Sequence, residues 1–216
     1  MSLFNNMSGN LLDLFMNNES QEGATSMAQR ADVDEKDFGK IIALGLPVLL
    51  QAINRNNKDT QGLASFSQAL DQHQDLTQYN SFGDLVKNVD TTEGDKILGH
   101  VFEGKQGIFD RIADTIGVTP AAVKRVLMLL APILLKYLSD RKHTNKLDNA
   151  GLQKETGNIA EEMTRSVREY GQNRGGSNNS ASDSLGNIFD RLTKGQSNNQ
   201  ADKPDSLLDN LLDFFR

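Results

Sequence analysis

The sequence predicts an all-α protein: a compact helical bundle with an internal duplication, followed by a flexible C-terminal tail of linkers and short amphipathic helices. Three observations carry that expectation. Two wholly apolar runs of ten residues, Ile41 to Leu50 and Val126 to Leu135, each hold proline at the seventh position and then an apolar-Leu-Leu triplet. Further positions repeat at the same offset, 132 − 47 = 85: Ala28 with Ala113, Val33 with Val118, Leu44 with Leu129, Ile53 with Leu138. No segment alternates apolar and polar residues with β-branched enrichment, so nothing reads as a strand.

The elements follow in order. Asp34 is placed to cap the first long helix, about Asp34 to Asn54, and Glu35 and Asp37 suit its positive end. Thr119 caps the second, about Thr119 to Asp140, with Pro120 at the first helical position and Gly117 ending the helix before it. Helices apolar on every face must be surrounded, so these two are expected to pack on each other at the centre. Pro47 and Pro132 take a hydrogen bond from the carbonyls of Ala43 and Met128, and are expected to kink both helices. Leu63, Phe66 and Leu70 space one further helix. Ile97, Leu98 and Val101 mark another, and Ile108, Ile112, Ala113 and Ile116 a third. Leu152, Ile159, Met163, Val167 and Tyr170 suggest an amphipathic helix from about Asn149 to Gly171.

The bundle is therefore assigned to residues 1–172, its copies to about 21–75 and 105–172, and the tail to 173–216. Asn-, Ser- and Gly-rich linkers in the tail flank two short pieces, Asn187 to Leu192 and Asn210 to Phe215. Both echo Asn10 to Phe15 at the other end of the chain, with Asn, two apolar residues, Asp, one variable position, then Leu or Phe. Helices this short are marginal in water and need a surface on which to fold.

Composition excludes several function classes. The 216 residues carry a formal charge of −6, which disfavours general affinity for nucleic acid or anionic membrane. With no cysteine there is no disulfide, thiolate nucleophile or cysteine-based zinc site. The N-terminus has no basic region before an apolar core, and each apolar run has roughly half the length of a membrane span. A soluble cytoplasmic protein is the expectation.

The segment from Glu93 to Leu138 resembles the YidB-like family of bacterial proteins of unknown function. The likeness is carried by Gly94, Asp95, Ile97, Leu98, His100 and Phe102, by Thr119, Val123 and Leu127, and by the Leu-Ala-Pro of Leu130 to Pro132. The resemblance implies an all-helical, cytoplasmic protein. It supplies no activity and no functional residue.

Ala113, Gly117, Val123 and Val126 have the spacing of a helix-turn-helix core, and Lys105 to Lys146 holds eight Lys and Arg against three Asp, a local 8 − 3 = +5. The would-be reading helix offers chiefly Lys124 and Arg125 before turning apolar at Val126. Gly99 to Gln106 misses a phosphate-binding loop because Gln106 replaces the Ser or Thr that would hold magnesium. His73 and His143 read as solvated and His100 as a structural histidine; none has a partner at metal-ligand spacing. Thr91 or Thr92 reads as a helix cap. In the tail, Leu207, Leu208, Leu211, Leu212, Phe214 and Phe215 form a broad apolar face beside Asp205, Asp209 and Asp213. That face suits docking on a protein partner or self-association rather than on an anionic membrane. The expected function is a non-enzymatic structural or interaction protein with no metal, cofactor or catalytic residue. A helix-turn-helix nucleic-acid binder using about residues 108–127 is the alternative.

Overall fold

The computed structural model describes Leu11 and residues 21–73, 79, 81–105 and 107–174. The tail, with its expected short helices and the docking residues Leu207 to Phe215, lies outside them. Among the described residues every regular element is an α-helix: α1 (Gln21–Arg30), α2 (Glu35–Asn56), α3 (Thr60–Gln72), α4 (Phe82–Lys87), α5 (Thr91–Val101), α6 (Ile108–Ile116), α7 (Pro120–Thr144) and α8 (Asn149–Arg174).

The two long helices form the centre. In α2 the whole stretch Phe38 to Leu50 is buried, and in α7 so are Leu129 to Leu135. They touch where Gly45 of α2 faces Leu127 of α7: a Cβ on Gly45 would stand 2.9 Å from the Leu127 Cδ2. Pro47 and Pro132 both lie inside unbroken helices. The outer helices wrap this pair. α5 runs along α7, α8 along α2, and α3 packs on both α7 and α8. α6 contacts α7 and α2, while α1 contacts α4, α2 and α7. Of the described helices, α2 is long and apolar enough to cross a membrane by composition, but 83% of its most apolar window is buried inside the bundle.

Local chemistry explains the boundaries. Asp34 accepts from the Asp37 amide at 2.7 Å and Thr119 from the Ala122 amide at 3.2 Å, each an N-cap. Gly117 ends α6 in the left-handed region, φ 71°, and Asp32 takes the same conformation, φ 53°, between α1 and α2. The Val33 amide donates to Ala28 and the Val118 amide to Ala113, both at 3.1 Å. All three pairings fall at the 85-residue offset.

Some expectations change. The cap of α5 is Asp90, which accepts from the Thr92 amide at 2.8 Å, and neither threonine serves. That hydrogen bond holds the Asp90 carboxyl below its usual range. His73 is half-buried rather than solvated, with Nδ1 2.7 Å from the Ala69 carbonyl and Nε2 against Glu93. His143 is exposed, yet its Nε2 lies 3.2 Å from Asp71. Asp71 also takes Lys142 Nζ at 2.6 Å, while Ser139 Oγ donates to the Leu70 carbonyl at 2.6 Å. These contacts fasten the end of α3 to the end of α7.

Candidate functional site

Lys124 and Arg125, the expected nucleic-acid contacts, stand on the first two turns of α7. α6 meets α7 at 111°, within the range of helix-turn-helix pairs. Thr119, Pro120, Ala121 and Lys124 are exposed. Arg125, however, is committed inward: its Nε donates to the Ala31 carbonyl at 2.6 Å and a terminal nitrogen to the Asp32 carbonyl at 3.0 Å. Lys124 Nζ pairs with Asp95 on α5 at 2.8 Å. Both side chains clamp neighbouring elements to α7.

A cleft of about 780 Å³ opens elsewhere, where the end of α2, the outer face of α3 and the end of α5 converge. The α2 terminus contributes Ile53, Arg55, Asn56 and Asn57. Asp59, Gly62, Ser65, Phe66 and Ala69 come from the start and face of α3, Lys96, Ile97, His100 and Val101 from α5, and Glu103 to Lys105 from the turn beyond. Leu135 of α7 reaches the floor.

The walls are held by specific contacts. Asp59 caps α3 by accepting from the Gly62 amide at 2.8 Å. Gly62 is required there, because a Cβ would lie 2.3 Å from the Asn56 carbonyl oxygen, so α3 turns tightly back over the α2 end. The Asn56 side-chain amide crosses the cleft base and donates to the Val101 carbonyl at 3.2 Å. The turn after α5 uses Gly104 at φ 73° and is anchored by buried Phe102, edge-on to Phe109 with ring centroids 5.6 Å apart.

Its chemistry is mixed. Ile53, Phe66, Ile97, Val101 and Leu135 give an apolar surface. Arg55 sits in the last turn of α2, where its positive charge offsets the partial negative charge of the helix end, and His100 lies in the last turn of α5. Burial, and then the nearby Arg55 guanidinium, push the Lys105 ammonium below its usual range. Asn57 is 1% exposed; its carbonyl accepts from the Gln153 side-chain amide at 2.8 Å, and among the described residues its own side-chain amide, closed off from the cleft, has no hydrogen-bond partner. Among the described residues no three His, Asp or Glu side chains cluster as metal ligands.

His100 therefore lies in the cleft, exposed, rather than buried as a structural histidine. Of the lining set, His100 and the stretch Gly99 to Gln106 stand out in the sequence as candidates for chemistry, while Ile53, Phe66, Ile97 and Val101 read there only as helix-spacing apolar residues. The lining comes from segments up to 82 residues apart, 135 − 53 = 82, and no local motif joins them.

The residues that carry the family resemblance meet in space. α5 lies so close to α7 that a Cβ on Gly94 would stand 1.8 Å from the Met128 carbonyl oxygen, the one that Pro132 cannot serve as donor. No curated protein and no solved structure matches the chain. Residues 13–141 match the family described as bacterial protein of unknown function (DUF937), which includes YidB and spans α1 to nearly the end of α7, so the chain belongs to that family.

Proposed function

We propose that this chain is a non-enzymatic interaction protein whose cleft between α2, α3 and α5 receives a segment of a protein partner. The cleft itself carries the reading: about 780 Å³ of open space with apolar walls and the cations Arg55, Lys96 and Lys105 along its edge. Apolar anchors with a few fixed polar groups are what partner segments and small ligands both use.

The test is to fill the cleft. Ala69→Trp places an indole against Phe66 and Ile97 on the open side. Helical content should survive, and proteins that the wild-type chain captures from its native cell extract should be lost. A capture profile identical for wild type and Ala69→Trp would contradict the reading.

Nucleic-acid binding is the second reading, supported by the 111° angle and the exposed start of α7. Against it, the inward commitment of Arg125 and the Lys124–Asp95 pair leave few groups for bases or phosphates.

A further inference from the structure

Leu11 is helical and 2% exposed, a member of the same hydrophobic core as α2 and α7. It is the second residue of Asn10-Leu11-Leu12-Asp13-Leu14-Phe15. Asn210-Leu211-Leu212-Asp213-Phe214-Phe215 repeats that hexapeptide at five of six positions, with only Leu14 replaced by Phe214. Asn187 to Leu192 keeps the pattern more loosely. A chain with one core seat for Leu11 thus carries two near-identical segments able to present a leucine to it.

We infer that the Leu11 seat is a docking site for Asn210–Phe215, with Leu211 entering where Leu11 sits. The substitution of Phe for Leu at the fifth position keeps the segment apolar, and Leu207 and Leu208 extend that character upstream. Reach is no obstacle. The 35 residues from 175 to 209 separate α8 from the segment and span at most about 3.3–3.6 Å each. Only five residues, 16 to 20, separate Phe15 from α1, so the N-terminal copy enjoys the higher effective concentration at the seat of its own chain. The two segments therefore compete, the N-terminal one favoured by its short tether and the C-terminal one by its larger apolar surface. The seat is separate from the α2–α3–α5 cleft, whose lining does not include Leu11.

A labelled peptide of Asp205 to Arg216 titrated against the full chain tests this by fluorescence anisotropy. The absence of tryptophan and cysteine leaves the protein free of competing probes. The full chain carrying Leu11→Asp and Leu12→Asp has lost the N-terminal competitor that the short tether favours, so it should bind the peptide roughly threefold or more tightly than wild type. An unlabelled peptide of Gly9 to Met16 should displace the label from both, and Ala69→Trp should leave binding unchanged. Absence of saturable binding, equal affinity of the two chains, or failure of the N-terminal peptide to compete would overturn the inference. Loss of binding in Ala69→Trp would also overturn it, by placing the segment in the cleft.

Discussion

Gly94 and Gly99 sit in the same helix five residues apart and predict opposite outcomes. At Gly94 an added methyl would overlap the Met128 carbonyl at 1.8 Å, and backbone cannot swing aside as a long side chain would. Gly94→Ala should lower stability by about 3 kcal/mol, the upper range for overpacking, as read by urea unfolding. At Gly99 nothing lies within 4 Å, so Gly99→Ala should raise stability by about 0.5–1 kcal/mol through helix propensity alone. A second prediction concerns Asp71. The hydrogen bond from the Lys142 ammonium holds its carboxyl below the ordinary range against the opposing effect of burial, with His143 adding to the lowering. A depressed carboxyl contributes stability that is present above its unfolded value and is lost as pH falls through the lower, folded value. Melting temperature should thus decline below about pH 4, and Asp71→Asn should flatten that decline. Asp71 is half exposed, so the change should be small. The reach of sequence reading at this scale depends on distance along the chain. The Asp34, Thr119 and Gly117 caps were legible because partner and residue lie within one turn. The His73–Glu93 and His143–Asp71 pairs were not, because tertiary packing joins residues that no local pattern connects.

The long helices announce themselves because their apolar runs leave no solvent face, and α3, α5, α6 and α8 because their apolar residues recur near each turn. α4 escaped notice: at six residues it is too short for periodicity, and only its Ser81 cap and the pair Leu85 and Val86 betray it. The turns before α2 and α7 support the proposed duplication. Asp32 and Gly117 both adopt positive φ, 85 residues apart, and each is followed by a helix cap two residues later. That shared geometry gives the third prediction. Left-handed backbone costs a non-glycine residue roughly 1 kcal/mol, and the Asp32 side chain is 95% exposed with only a long contact to Arg125 at 3.8 Å. Asp32→Gly should therefore stabilise the protein by up to about 1 kcal/mol, and Gly117→Ala should destabilise it by about the same amount. Thermal or urea unfolding of the two variants checks both signs. Equal signs would show that the two turns are not under the same constraint.

For the whole molecule, a chain of net charge −6 whose Lys124 and Arg125 are engaged by Asp95 and by the Ala31 carbonyl should show no salt-dependent, sub-micromolar affinity for duplex DNA. An anisotropy titration checks this. If binding appeared and fell on changing Lys124 and Arg125 to Ala, the helix-turn-helix reading would take precedence. The cleft was the least legible feature of the protein. Its lining is assembled from α2, α3, α5 and α7, and only the packing of those helices creates it. A site-specific photo-cross-link tests the central claim most directly, since the chain has no cysteine of its own. A benzophenone attached at Ser65→Cys faces the cleft, and one at Asp114→Cys sits on the exposed side of α6. In native extract the proposal predicts a discrete cross-linked partner from position 65, absent from position 114 and abolished by Ala69→Trp. Equal adducts from both positions, or none from position 65, would contradict it.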